Sequence, residues 1–148
     1  MAYKGKYKLK NPSKYVGDPN KVVFRSLWER NVFRWCEAQS NIVEWCSEEV
    51  VIPYVCKTDN KVHRYFIDIY FKTKDGKKYL IEIKPKKETS PPKKPQRRSK
   101  RYLSESLTFI KNQSKWEAAT QFAKDNGVTF QIWTEDTLKQ LGIKTLAK

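Results

Sequence analysis

The sequence predicts an α/β fold with one helix, three strands, a second helix and a fourth strand, in that order. Three observations lead to this prediction. Segments whose apolar residues recur at helical spacing alternate with short runs rich in β-branched and aromatic residues. Capping and turn residues, among them Asp75-Gly76, separate these segments. The chain has 148 residues, of which 39% are hydrophobic, so we expect a single domain over residues 1–148 with a core of its own.

The first helix is predicted to begin after Ser26 and to end near Ser40. Ser26 and Glu29 have the spacing of a capping box, in which each side chain accepts a hydrogen bond from the other residue's backbone N–H. Four apolar residues with helical spacing form a stripe that should be buried: Trp28, Val32, Trp35 and Cys36. Glu29 therefore has a structural role available as the partner in the cap.

Three strands are predicted next, as a meander over residues 49–55, 63–71 and 78–84, after a short extended piece at 42–45. Asp68 and Glu82 each lie between two isoleucines of these strands. A carboxylate in such surroundings must be paired, hydrogen-bonded or bound to a metal ion, because burying an unpaired charge is very costly. The structural interpretation is an internal carboxylate–lysine pair or a solvated outer face.

The turn at Asp75-Gly76 decides which residues face each other across the hairpin. A two-residue loop would place Asp68 opposite Ile83, whereas a three-residue loop over 74–76, ending on a left-handed glycine, would place it opposite Glu82. Opposed residues have Cβ atoms ~5 Å apart, and two carboxylates that close repel each other unless a cation lies between them. Mg²⁺ or Mn²⁺ is a suitable cation, because both prefer oxygen ligands. Lys84 shares a face with Glu82 and could stabilise a developing phosphate charge or hold a water molecule.

The second helix is predicted from Ser104 onward, most clearly over residues 112–124, and Gly127 should end it. A fourth strand is expected at 128–133, and a short capped helix at 134–142 completes the chain.

The charge of the chain predicts a polyanionic partner, because 31 Lys and Arg residues against 16 Asp and Glu give a net charge of +15. Nucleic acid is the most suitable partner of this kind. An anionic membrane surface is the alternative, but the sequence has no amphipathic basic helix, apolar span or signal peptide. We therefore expect a DNA-binding protein with no membrane partner and no small-molecule cofactor.

Two segments are predicted to lie outside the core. Residues 1–20 are lysine-rich and interrupted by prolines, so we expect a basic N-terminal arm that touches the body or the partner weakly. Residues 85–103 read as a flexible, basic, proline-rich loop that leaves directly from Lys84. The loop could instead be a solvated insertion or a localisation signal. Six of its basic residues are predicted to contact DNA phosphates: Lys86, Lys87, Lys93, Lys94, Arg97 and Arg98.

The cysteines argue against a secreted, disulfide-bonded protein and against a structural zinc site. They are three in number, lie ten residues apart and form no CxxC pair, and His63 is the single histidine. We interpret them as reduced core residues of a cytosolic protein. His63 is interpreted as an exposed residue at the end of a strand.

Asp68, followed by Glu82-Ile83-Lys84, resembles the D…(D/E)xK motif of the restriction-endonuclease-like nucleases. The predicted order of elements matches the αβββαβ core of that superfamily, which is a mixed sheet flanked by helices. The helix start Ser26-Leu-Trp-Glu29 and the segment Phe66-Ile-Asp68 are similar to the TnsA-like branch and, within it, to the head-completion nucleases of T-even-type bacteriophages. One departure is Ile67, which stands where the superfamily usually has a proline before the first acid.

The resemblance implies an Mg²⁺- or Mn²⁺-dependent DNA endonuclease. In it, Asp68, Glu82 and Glu29 would be catalytic metal ligands, and Lys84 a catalytic lysine. Lys115 or Gln113 could reach the site from the second helix, but the residues alone favour a solvated surface lysine at position 115. It further implies trimming of DNA at the filled phage head, with head, portal or neck proteins as partners, in the host cytoplasm and possibly in the virion. Two alternatives stay open, a non-catalytic DNA-binding plug protein of the same fold and a branched-DNA resolvase.

Overall fold

The structure, a computed structural model, describes residues 4–145. Two short 3₁₀ turns, Pro12–Lys14 and Lys86–Thr89, accompany the helices and strands. The helices and strands are β1 (Gly5–Lys6), β2 (Val23–Phe24), α1 (Leu27–Ala38), β3 (Ile42–Cys46), β4 (Val51–Cys56), β5 (Lys61–Phe66), β6 (Ile69–Thr73), β7 (Lys78–Ile83), α2 (Lys100–Asn126), β8 (Thr129–Trp133) and α3 (Glu135–Gln140).

A four-stranded sheet in the order β3-β6-β7-β8 forms the centre of the fold. β6 pairs antiparallel with β3 and with β7, whereas β7 pairs parallel with β8 through a connection that contains α2. One hydrophobic cluster joins α1 to this sheet, and a second joins α2 to the sheet and to the β4–β5 hairpin. The predicted α/β fold with a mixed sheet flanked by helices is thereby confirmed.

The three predicted strands pair in the predicted order, but they do not form one meander, because the middle strand is divided between two sheets. β4 and β5 form a two-stranded sheet of their own, and the piece predicted at 42–45 is the edge strand β3 of the central sheet. The strand predicted over 63–71 is broken at Ile67 and Asp68 into β5 and β6. The break has a local cause. The backbone N–H of Ile67 donates to the carbonyl of Val50, and the carbonyl of Ile67 accepts from the N–H of Glu48. Both partners lie in the segment between β3 and β4, so these hydrogen bonds do not continue the strand pairing.

From residue 4 onward the N-terminal segment packs against the body and is not the weakly attached arm that its lysines predicted, while the first three residues of that predicted arm lie outside the described residues. β1 pairs with β2, and the rings of Tyr7 and Tyr15 are buried between α1 and β3. Tyr15 packs edge-on against the fully buried Trp45 with 4.9 Å between ring centroids. Lys14 donates to the backbone oxygen of Gln39 at 2.6 Å and so satisfies a carbonyl at the end of α1. The two tyrosines outweigh the lysines here, because each offers a large apolar ring to the core.

The second helix is longer than predicted. α2 begins at the N-cap Ser99 and ends at Gly127, whose φ of 65° is the left-handed cap conformation expected from the sequence. The loop predicted over 85–103 is therefore helical at both ends, over Lys86–Thr89 and from Lys100. No helix within residues 4–145 combines the length and the apolar character that crossing a membrane requires. The three cysteines are buried and unbonded, as predicted for core residues.

Candidate metal centre

The β6–β7 hairpin has the three-residue loop that Gly76 favoured. Gly76 has a φ of 88°, and its N–H donates to the carbonyl of Thr73. Ile69 faces Ile81 across the pair, and one further step of this register places Asp68 opposite Glu82. The two carboxylates therefore meet, because the turn sets the register of the strands.

Asp68 lies at the break between β5 and β6, where the chain has left one sheet and is about to enter the other. Its Oδ2 accepts a hydrogen bond of 2.8 Å from the backbone N–H of Ile83, which fixes the carboxylate against β7. Burial raises the pKa of Asp68 well above its usual value, and the charges of Glu82 and Glu29 raise it further. A nearby cation would therefore stabilise the ionised form of Asp68.

Glu82 is held by partners on both of its oxygens. It is buried, with 6% of its surface exposed. Its Oε1 accepts a hydrogen bond from the phenol of Tyr65, and its Oε2 lies 3.5 Å from the ammonium of Lys84. Burial and the carboxylate of Glu82 both raise the pKa of the Tyr65 phenol, so this hydroxyl remains a hydrogen-bond donor. Lys84 therefore lies beside Glu82, as the sequence predicted, and Tyr65 of β5 orients the same carboxylate.

Glu29 joins the two strand carboxylates from the first turn of α1. Its backbone N–H donates to the Oγ of Ser26 at 3.2 Å, which is half of the predicted capping box. The other half is displaced, because the Glu29 side chain accepts from the backbone N–H of Arg25 at 3.4 Å. Burial raises the pKa of Glu29 to about 7, and the neighbouring carboxylates of Glu48 and Glu82 add to the effect. The geometry thus gives Glu29 a capping contact and a place in the carboxylate cluster.

Four residues near the site carry charges or hydrogen bonds that the motif did not indicate. Tyr65 had no signal beyond its place in a strand. Arg25 contacts Glu48 at 3.1 Å, and this partner raises the pKa of the guanidinium, with smaller contributions from Glu29 and Asp68. Glu48 itself adopts a φ of 57°, uncommon for a residue other than glycine. The fourth is Lys115.

Lys115 reaches the site from α2, one of the two positions that the family resemblance suggested. Its ammonium lies 5.4 Å from the centre of the Tyr65 ring. Burial lowers its pKa, and the carboxylate of Glu82 acts in the opposite direction. Gln113, the other suggested position, lines a separate cleft of about 540 Å³ beside Trp116 and Phe130.

The six residues predicted to bind DNA are all exposed. Lys86 and Lys87 lie in the turn that directly follows β7, next to the metal centre. Lys86 is partly engaged, since its backbone N–H donates to Glu135 and its ammonium lies 3.4 Å from Asp136. The remaining four lie between that turn and α2: Lys93, Lys94, Arg97 and Arg98. Their contact with DNA stays a prediction.

A second group of potential metal ligands occupies the turn of the β4–β5 hairpin. The ligand atoms of Cys56, Asp59 and His63 all lie within 4.8 Å of one another. His63 lies near the start of β5 and is partly exposed, and its Nε2 lies 2.8 Å from Asp59 Oδ2. Sulfur and imidazole donors suit zinc, whereas the all-carboxylate set of the metal centre suits Mg²⁺ or Mn²⁺. The two groups lie at opposite ends of β5.

Comparison with known proteins gives two matches. Residues 39–135 match the family model of the TnsA-like endonuclease N-terminal domain. The chain is also 47% identical to the head completion nuclease of Enterobacteria phage T4 over 148 residues, which covers 97% of this chain and 99% of that protein. The range matched by the family model contains Asp68, Glu82 and Lys84, whereas Glu29 lies before it.

Proposed function

The chain belongs to the TnsA-like endonuclease family, and we propose that it is a metal-dependent nuclease that hydrolyses DNA phosphodiester bonds during completion of a bacteriophage head. One observation carries the catalytic part of this proposal. Asp68 and Glu82 meet across the β6–β7 hairpin with the ammonium of Lys84 beside them. The identity to the phage T4 head completion nuclease over nearly the whole chain supports the biological setting.

Oxygen atoms of Asp68, Glu82 and Glu29 would hold the metal ion, and such a donor set suits Mg²⁺ or Mn²⁺. Burial and then the charges of neighbouring carboxylates raise the pKa of Asp68 and of Glu29, and a shared cation would offset both effects, which supports this assignment. When bound, the ion polarises the phosphate and lowers the pKa of a coordinated water.

The residues around the ligands have separate tasks in this mechanism. Tyr65 holds Glu82 in one orientation through its hydroxyl. Lys84 contacts Glu82, and its ammonium would turn to the scissile phosphate and stabilise the charge that develops there. The N–H of Ile83 fixes Asp68, so both strand carboxylates are positioned before the substrate arrives.

We infer that the exposed basic segment after β7 positions DNA by its backbone, with little reading of sequence. The segment extends from the metal centre, so its contacts would guide phosphates toward Asp68 and Glu82. In this setting the protein trims DNA at the filled head in the host cytoplasm, could remain in the virion, and contacts head, portal or neck proteins. We treat the whole chain, residues 1–148, as a single nuclease domain.

Cleavage of linear and circular DNA with and without Mg²⁺ tests the function. Asp68→Ala and Lys84→Ala should abolish metal-dependent cutting and leave DNA affinity nearly unchanged, because neither residue belongs to the basic segment. Lys124→Ala, an exposed lysine of α2, is the matched control and should cut like the wild type. Undiminished cutting by purified Asp68→Ala would falsify the assignment of the site. Binding without turnover, even with Mn²⁺, would favour the non-catalytic plug protein.

A further inference from the structure

A cleft of about 420 Å³ lies between β5 and α2 and has no assigned role in the proposed mechanism. Cationic and aromatic side chains line it, and no carboxylate is among the lining residues of the described chain. The basic and aromatic lining residues are Arg64, Lys111, Lys115, His63, Tyr54 and Phe66. The lining charge is therefore suited to an anion.

Lys115 connects the cleft to the candidate metal centre through Tyr65. Lys115 lines it and lies over the ring of Tyr65, while the hydroxyl of the same tyrosine donates to Glu82. A chain of phosphates that follows the cleft would thus arrive beside the carboxylates. The cleft is therefore placed where a bound DNA strand could continue toward Glu82.

Phe66 distinguishes the cleft from an ordinary basic surface. It is 41% exposed, and the guanidinium of Arg64 lies 5.5 Å from the centre of its ring. Proteins that bind single strands use such exposed aromatic rings as stacking platforms for bases, next to cations that contact the backbone. Duplex DNA keeps its bases stacked inside, and binding to its phosphates gains little from an exposed ring.

The size of the cleft agrees with this chemistry. Its volume of about 420 Å³ is in the range of pockets that bind small-molecule ligands. A cleft of this size can hold nucleotides of a single strand. Val62, which also lines the cleft, is 71% exposed, so the cleft is accessible from solvent.

We propose that this cleft binds an unpaired DNA strand next to the scissile phosphate, with a base stacked on Phe66 and phosphates contacted by Arg64, Lys111 and Lys115. The inference rests on the proposed nuclease function and narrows its substrate class. The preferred DNA has a single-stranded extension or a locally opened end, and a blunt duplex binds less well.

Fluorescence anisotropy of the full chain with a chelator present tests the proposal without turnover. The probes are a blunt duplex and the same duplex with a single-stranded extension. The wild type should prefer the extended probe, and Phe66→Ala and Lys111→Ala should each reduce that preference, by roughly tenfold where one base no longer stacks. Val55→Ala, an exposed residue of the same hairpin, and Lys124→Ala on α2 are the matched controls and should retain it.

Two results would overturn the proposal. One is a wild type that binds both probes equally. The other is an equal loss of affinity for both probes in the cleft variants, which would make the cleft a general phosphate-binding surface. A parallel cleavage assay keeps this result separate from the function, because a wild-type enzyme that cuts DNA but shows no preference removes only the role of the cleft.

Discussion

Replacing Glu29 by glutamine separates a helix cap from a metal ligand. Glutamine keeps the side-chain oxygen that accepts the N–H of Arg25, but it removes the charge. In the folded protein the pKa of Glu29 is raised from 4.5 to about 7, first by burial and then by the charges of Glu48 and Glu82. The wild-type protein should therefore be destabilised by ionisation of this carboxyl, and the variant should not.

The magnitude follows from the two pKa values. The interval between 4.5 and about 7 corresponds to about 3 kcal/mol at ~1.4 kcal/mol per pH unit. Below the lower value both states are protonated, and Glu29 contributes nothing to the pH dependence. As the pH rises through the interval only the unfolded chain ionises, so the free energy of unfolding falls. Above about pH 7 the loss is complete, and Glu29→Gln should be more stable than the wild type by up to about 3 kcal/mol.

Urea denaturation with a chelator, at about pH 5 and about pH 8, measures this difference. Glu88→Gln, at an exposed position of the turn after β7, is the control and should follow the wild type. If Glu29 is also a ligand, added Mg²⁺ should stabilise the wild type more than Glu29→Gln, and the variant should cut DNA poorly. Parallel pH profiles would refute the raised pKa, and full cutting by the variant would leave Glu29 as a cap alone.

Three further predictions use the same preparations. The rate of cleavage should increase as the pH rises toward about 7, because Asp68 and Glu29 must lose their protons to bind the ion; a flat profile would contradict this. Tyr65→Phe should raise the Mg²⁺ concentration needed for cutting by ~10–100-fold, because Glu82 loses the donor that orients it; an unchanged requirement would remove Tyr65 from the site. The four outer basic residues are Lys93, Lys94, Arg97 and Arg98, and replacing them by alanine should weaken DNA binding. The log–log slope of affinity against salt concentration should become shallower by ~0.9 for each phosphate that the protein no longer neutralises. An unchanged slope would mean that these side chains are only solvated.

The meeting of Asp68 and Glu82 was predictable because it depends on local rules. The side chains of a strand alternate with a period of two, and a glycine at the end of a three-residue loop fixes which residues face each other. Gly76 has the left-handed conformation that this loop requires, and the register follows from it. The ends of α1 and α2 were predictable for the same reason, since Ser26 and Gly127 act on their own backbone neighbours.

The parts that sequence reasoning missed depend on distant contacts. Aromatic residues lie on both sides of the break, Tyr65 and Phe66 before it and Tyr70 and Phe71 after it, so composition gave no sign that two sheets share the segment. Tyr7 and Tyr15 stand among lysines, and only the space between α1 and β3 shows why they are buried. Tyr65 could not be linked to Glu82 because the bond joins two sheets.

The break at Ile67 and Asp68 also explains how Asp68, a proposed metal ligand, and Tyr65 converge on Glu82. In an unbroken strand Tyr65 and Asp68, three residues apart, would project from opposite faces. In the structure Tyr65 donates to Glu82, while Asp68 continues the register that places it opposite the same residue. The change of direction between β5 and β6 therefore brings both side chains to one carboxylate. The same break takes β5 out of the central sheet and places it beside α2. The cleft between β5 and α2 therefore lies close to the candidate metal centre.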